Sequence, residues 1–260
     1  MNYLEEFYNA YDEEGRLLSR HGQVEYLTTM KYIEKCLKSL SNPGIIEVGA
    51  GTGRYSVTLA KRGLRVTAVE LIEHNLEILR SKLDGTESIT AIQGNALDLS
   101  TFSDNSFDLT MLLGPMYHLY TKEEKLRALS EAVRVTKSRG FILVAYCMNE
   151  PTVIQYVFGM NHLHEVMDLN MLTSDWHCIS EPKEVFELVR TEDIAELDEE
   201  FPVKRIKLVA TDGATNYNRE FIDAMDDETF SKWLDYHFAI CERQDLIGAS
   251  HHTLDILQKD

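Results

Sequence analysis

Short apolar runs alternate with amphipathic helical patterns between Ile45 and Cys147, and this alternation most constrains what the chain can fold into. "IIEV" (Ile45–Val48), "LRVTAVEL" (Leu64–Leu71), "SITAIQG" (Ser88–Gly94), "SFDLTMLLG" (Ser106–Gly114) and "GFILVAYC" (Gly140–Cys147) read as strands. Between them the pattern predicts a helix over about Gly53–Arg62 and another carrying Leu76, Leu79 and Leu83. A further helix opens with a capping box, Thr121 and Glu124, and puts Leu126, Leu129 and Val133 on one face. An unbroken apolar run such as GFILVAYC suits a strand covered on both faces. Strands and helices alternating in this way build a doubly wound parallel sheet.

The flanks extend this plan. Val24, Leu27, Met30, Ile33, Leu37 and Leu40 predict an amphipathic helix over Gly22–Leu40, stopped by Asn42-Pro43-Gly44. After Asn149 the rhythm changes: Pro151–Asp168 and Lys183–Leu197 read as helices without a buried strand promptly after either. Met160, His164 and Met167 would share one face of the first, as core packing. "VKRIKLVATDG" reads as a sixth strand turned by Asp212-Gly213, Asp227–Gln244 as a long helix and "GASHHTLDILQK" as a last strand. The expected fold is α/β, a Rossmann-like seven-stranded, mostly parallel sheet with helices on both faces. One domain, 1–260, would comprise N-terminal helices 1–41, a core 42–150, an inserted helical cap 151–201 between strands five and six, and closing elements 202–260 that complete the sheet.

Charge narrows the partners. Acids number 43 against 26 Lys and Arg, a net charge of -17 that repels a phosphate backbone. The basic runs Lys204–Lys207 and Ala60–Gly63 are short and read as solvated faces. No run of about 18 apolar residues predicts a membrane helix. The acidic, aromatic start, MNYLEEFYNAYDEEG, is unlike a secretory leader, so a cytoplasmic protein is expected. Cys36, Cys147, Cys178 and Cys241 lie far apart and read as reduced thiols rather than disulfides or zinc ligands. These readings give a small-molecule partner, no nucleic acid, no membrane, no metal, and a monomer or homodimer.

The first strand ends in "GAGTG", Gly49 to Gly53, a turn that lets a ligand lie against bare Cα atoms. A dinucleotide turn needs a third glycine where this chain has Arg54, and a Walker loop needs a terminal Gly-Lys-Ser/Thr. Phosphate cradling is disfavoured on both counts. Glu70, nineteen residues after Gly51, ends the second strand, where an acid can accept both hydroxyls of a ribose.

"IIEVGAGTG", "VTAVEL", "GNALDLSTFSDNSFDLTMLL" and "ALSEAVRVTKSRGFILV" resemble, in order and spacing, the signature blocks of class I S-adenosylmethionine-dependent methyltransferases. Within that family they are similar to the broad group that includes ubiquinone and menaquinone biosynthesis methyltransferases. The resemblance covers roughly Ile45–Tyr146, with "SHHTLDILQK" matching the family's final antiparallel strand. It implies that Glu47, Gly49, Ala50, Gly51, Thr52 and Gly53 hold the methionine part of the cofactor. Glu70 would take the ribose, Leu71 the adenine face, and Asn95, Ala96 and Leu97 the adenine edge. Many relatives carry Asp where this chain has Asn95. Leu113 and Gly114 would face the sulfonium.

Methyl transfer needs alignment and water exclusion more than a nucleophile or metal, which agrees with the absence of HExxH, GxSxG and P-loop motifs. In "LLGPMYHLY", Tyr117 and His118 stand at the mouth of the expected site as catalytic candidates. His118 either acts as a general base near neutral pH or packs against the next helix and touches cofactor. The block looks like one found in bacterial members of mostly unassigned substrate, and it lacks the Asn/Asp-Pro-Pro-aromatic block of base methyltransferases. Tyr8, Tyr11, Arg20 and His21 either cover the cofactor or form a surface turn, and Arg20 is the cofactor-binding candidate among them. His251 and His252 would point to opposite faces of a strand. The expected reaction is methyl transfer to a small molecule. The alternatives are an RNA or protein methyltransferase and a non-catalytic S-adenosylmethionine-binding regulator; a nicotinamide oxidoreductase ranks behind both.

Overall fold

In the computed structural model, which describes residues 3–260, three helices precede the sheet: α1 (Tyr3–Ala10), α2 (Glu13–Arg16) and α3 (Arg20–Leu37). Asp12 and Ser19 start α2 and α3 by accepting backbone N–H bonds. The core then runs β1 (Gly44–Val48), α4 (Arg54–Lys61), β2 (Arg65–Glu70), α5 (Glu73–Ser81), β3 (Ile89–Gln93), β4 (Phe107–Leu112), α6 (Lys122–Val135) and β5 (Thr136–Cys147). Both bonds of the Thr121–Glu124 capping box open α6. Next come α7 (Asn149–Thr152), α8 (Leu163–Asp168), α9 (Thr191–Asp198), β6 (Val203–Ala210), α10 (Arg219–Asp223), α11 (Asp227–Ile240), α12 (Gln244–Ile247) and β7 (His252–Lys259).

The strands form one seven-stranded sheet ordered β3-β2-β1-β4-β5-β7-β6. β1 to β5 are parallel, and β7 lies antiparallel to both β5 and β6. Side chains alternate across it. Ile46, Val48, Leu112, Ile142 and Val144 pack with Ala128, Leu129 and Ala132 of α6. Ile45, Leu109, Met111 and Leu143 pack with Ile33 of α3 and Leu59 of α4 on the other face. Burial of both faces is why these strands carry apolar residues on both sides. Strand order reverses between β1 and β4, so the connections leaving their carboxyl ends run to α4 on one face and α6 on the other and open a crevice.

The segment after β5 departs from the sequence reading. Pro151–Asp168 is not one helix: α7 passes into a wide π-helical stretch, Val153–Gly159, and Asn161 at φ +62° turns the chain before α8. Met160 and Met167 are consequently exposed rather than packed in a core. Within Lys183–Leu197 only the end of a 3₁₀ turn (Pro182–Glu184) and α9 are helical. The stretch between is drawn straight beside the sheet, where Val189 N–H donates to the Cys147 carbonyl at 3.0 Å. Pairing with the end of β5 overrides the helical spacing of its apolar residues. The long C-terminal helix stops at Ile240, capped by Cys241, rather than at Gln244. No helix among the described residues is long and apolar enough to cross a membrane.

Candidate active site

The crevice is built on the turn after β1. Gly49, Gly51 and Gly53 have φ of +77°, +54° and +83°, a region that favours glycine. A Cβ on Gly49 would lie 2.5 Å from Pro115 Cδ, and one on Gly53 2.6 Å from Leu79 Cγ. These two glycines let the turn press against the β4 loop and α5. At Gly51 the nearest atom would be Glu13 Cγ at 3.7 Å, so its Cα stays open. Lys82 fastens the turn from below, donating to the Thr52 carbonyl at 2.7 Å and pairing with Glu14 of α2.

Acidic and amide side chains surround this turn. Glu47 is buried and accepts from the Ser56 N–H at 2.9 Å and from the Ser56 hydroxyl. Burial pushes its carboxyl up to about 8 against those bonds. Glu70 Oε2 accepts the Gly51 N–H at 2.7 Å and Oε1 the Ile72 N–H at 2.9 Å. Burial raises the Glu70 pKa while these bonds oppose it. Asn95 Oδ1 accepts the Leu97 N–H at 2.9 Å, a tight turn that presents Ala96 and Leu97 to the same space. Together they enclose a cavity of about 290 Å³, which every sequence-predicted cofactor residue lines except Gly53, packed beneath, and Arg20.

Arg20 is a correction. It pairs with Asp227 at 2.7 Å and lies over the Phe230 ring, holding α3 to α11 outside the cavity. Arg54 of α4 and Arg16 are the arginines that line the cavity, and Arg16 is bonded to Glu13 at 3.2 Å and Glu25 at 2.8 Å. No motif announces it, because only the fold-back of α1 and α2 carries it there. Of the other N-terminal candidates, Tyr8, Tyr11 and His21 line cavity walls.

Tyr117 and His118 lie on a 3₁₀ turn, Pro115–His118, directly after Gly114. His118 Nδ1 donates to the Val185 carbonyl at 2.8 Å, so Nε2 accepts from the Tyr8 hydroxyl at 2.9 Å. Burial lowers its pKa to about 4, with the Val185 bond opposing. Both nitrogens are engaged, so His118 ties α1 to the cap. Burial and the neighbouring Tyr8 raise the Tyr117 pKa well above its usual value, so its hydroxyl keeps its proton.

A larger cavity of about 910 Å³ adjoins the first, and Tyr8, Glu13, Arg16 and Tyr117 line both. Val157, Val166, Leu172, Ile179 and Leu188 give it apolar walls. His251 and His252 both line it, contrary to the expected opposite facing, because they stand where the chain enters β7. His252 Nδ1 donates to Asp212 Oδ2 at 2.7 Å. Asp212 is completely buried, although its sequence context marked it only as a turn residue. The arrangement is two-chambered: a glycine-floored pocket opens beside a larger, mainly apolar chamber.

Residues 46–144 match the family described as "Methyltransferase domain". The chain is 30% identical over 149 residues to a demethylmenaquinone methyltransferase of Clavibacter sepedonicus, covering 57% of this chain and 58% of that protein. It is 24% identical over 184 residues to a ubiquinone biosynthesis O-methyltransferase of Methylocella silvestris, covering 70% and 69%. The chain spans 50% to 58% of the length of the first curated relatives it matches. A crystal structure of a methyltransferase from Thermotoga maritima, described as a possible histamine N-methyltransferase, aligns over 99% of both chains with a TM-score of 0.57 and 19% identity, a likeness of fold. Residues 46–144 thus match a methyltransferase domain, and the seven-stranded sheet built around them has the Rossmann-like fold of the S-adenosylmethionine-dependent methyltransferase structures it resembles.

Proposed function

We propose that this chain transfers the methyl group of S-adenosylmethionine to a small-molecule acceptor seated in the larger cavity. The observation that carries the reading is the adjacency of the two cavities across Tyr8, Glu13, Arg16 and Tyr117. The residues of the smaller cavity fit the cofactor. The open Cα of Gly51 leaves room for a ligand chain. Each Glu70 oxygen accepts one backbone bond and keeps lone-pair capacity for a ribose diol. The Glu47 carboxyl beside the turn suits an ammonium, which would draw it to the ionised form.

When bound, S-adenosylmethionine supplies a sulfonium methyl that bonds to the acceptor's lone pair while the S–C electron pair stays on sulfur, leaving S-adenosylhomocysteine. This chain's part is alignment and exclusion of water. The Tyr8–His118–Val185 tie roofs the junction, and Tyr117 stands between the chambers beside Gly114. His118 Nε2 is taken up by the Tyr8 hydroxyl and Tyr117 keeps its proton, so the reading rests on positioning. A net charge of -17 argues against RNA as acceptor.

Calorimetry is expected to show S-adenosylhomocysteine binding and no binding of NADH or ATP. Incubation with labelled S-adenosylmethionine and a metabolite extract is expected to yield one labelled small molecule. Absence of S-adenosylhomocysteine binding, or label found only in macromolecules, would overturn the proposal.

A further inference from the structure

We propose that the acceptor carries a carboxylate, held at the polar end of the larger cavity by Arg219 and His252. This rests on the methyl-transfer reading and deepens it by naming the substrate class.

Arg219 and His252 share one buried support. His252 Nδ1 donates to Asp212 Oδ2 at 2.7 Å, and the same oxygen accepts from Asn216 Nδ2 at 2.6 Å. Asn216 Oδ1 in turn accepts from Arg219 Nε at 3.2 Å. Asp212 thus orients the imidazole directly and the guanidinium through Asn216. What this leaves over is two donors. His252 Nε2 and the Arg219 Nη groups have no protein partner among the described residues, and both side chains line the cavity. Acids outnumber Lys and Arg by 43 to 26, yet Arg219, which lines this cavity, pairs with no carboxylate among the described residues. Arg16, on the same cavity, has two.

The charge state of His252 agrees with an anion site. Burial alone would lower its pKa, but Glu25, Cys147 and Asp212 outweigh burial and hold it well above the usual value. That shift favours the imidazolium, which has an N–H on Nε2 to donate.

The cluster could instead be read as a cation site, since Glu25, Asp212 and His252 bring ligand atoms within 4.8 Å of one another. Its ligand atoms already hold protein donors. Glu25 Oε2 takes Arg16 Nη1 at 2.8 Å, Asp212 Oδ1 takes the Ser250 hydroxyl at 2.6 Å, and His252 Nδ1 carries a proton. A cation here would have to displace these donors, whereas the Arg219 Nη groups and His252 Nε2 offer an anion donors that no other protein group holds among the described residues.

A carboxylate suits these donors better than a phosphate. A planar monoanion matches the guanidinium fork, whereas a dianion would meet Glu13, Glu25 and Asp212 nearby. Beyond this end the walls are aliphatic, so the body of the acceptor is apolar. Its reacting atom would point away from the carboxylate, toward Tyr117 and the smaller cavity.

The test measures binding of octanoate, 3-phenylpropanoate and indole-3-acetate, their primary amides, and octyl phosphate, to the protein with and without S-adenosylhomocysteine. At least one acid is expected to bind about tenfold or more tighter than its amide. Arg219→Gln is expected to abolish that preference and Arg219→Lys to keep part of it, with S-adenosylhomocysteine affinity and melting temperature unchanged in both. Equal binding of acid and amide, no binding of any acid, octyl phosphate binding more tightly than octanoate, or an intact preference in R219Q would each overturn the proposal. Loss of S-adenosylhomocysteine binding in the wild type would instead refute the methyl-transfer reading, because the acid-to-amide comparison is also made without it.

Discussion

The glycine turn makes a prediction that separates folding from binding, because its glycines are needed for different reasons. Gly49→Ala places an L residue at φ +77° and drives its Cβ to 2.5 Å from Pro115 Cδ. The left-handed backbone costs about 1–2 kcal/mol and the overpacking about 1–3, together about 2–5 kcal/mol. Gly63→Ala is the control: φ is +86° but nothing lies within 4 Å of the new Cβ, so only the backbone cost of about 1–2 kcal/mol applies. Gly51→Ala, at φ +54° with Glu13 Cγ 3.7 Å away, also costs about 1–2 kcal/mol. Its methyl, however, fills the open face of the turn, and S-adenosylhomocysteine affinity is expected to fall about tenfold or more. Urea unfolding followed by circular dichroism gives the stabilities, and calorimetry the affinities. Equal stability losses in the Gly49 and Gly63 variants would refute the Pro115 contact. Unchanged affinity in the Gly51 variant would refute the assignment of that face to the ligand.

Three further outcomes follow from the site. Glu70→Ala is expected to weaken S-adenosylhomocysteine by about 1.5–3 kcal/mol, since it removes a charged acceptor, and calorimetry would expose an unaffected site. His118→Ala is expected to cost about 1–3 kcal/mol of stability through two lost hydrogen bonds while leaving the shape of the pH–kcat profile unchanged; a basic or acidic limb that vanished would restore the histidine as a base. Burial holds His118, His237 and His251 at about 4, below the ordinary 6.5. The unfolded chain therefore binds protons that the folded chain refuses, and stability is lost as pH falls from about 6.5 to about 4. Urea midpoints that stayed flat over that interval would show these rings to be hydrated.

What the sequence disclosed and what it withheld divide along physical lines. The short apolar runs of β1 to β5 and the period-3.6 patterns of α4 to α6 are local consequences of burial, so Ile45, Ile46, Leu109 and Leu129 announce their own surroundings. The glycine turn is equally local: its φ angles require glycine wherever the rest of the chain goes. Pro151–Asp168 carried a helical apolar spacing and yet broke at Asn161, because the segment lies over a cavity and has no continuous core to face. A spacing rule assumes a surface to pack against, and a cap over a ligand chamber does not supply one.

The polar end of the larger cavity was illegible for a stronger reason. Asp212, Asn216, Arg219 and His252 come from the loop after β6, the start of α10 and the start of β7, and Glu25 from α3. None sits in a motif, and two adjacent histidines at a strand end point apart only if the strand has already begun at both. It begins at His252, so His251 belongs to the preceding turn and both rings reach the same space. The decisive residue is Asp212. A completely buried carboxylate is tolerated only if its oxygens are saturated with donors, and here Ser250, Asn216 and His252 supply them. That requirement fixes the side chains around it more tightly than any apolar neighbour could. A buried acid with oriented donors around it therefore marks a built site, and in sequence it looks the same as any Asp-Gly turn.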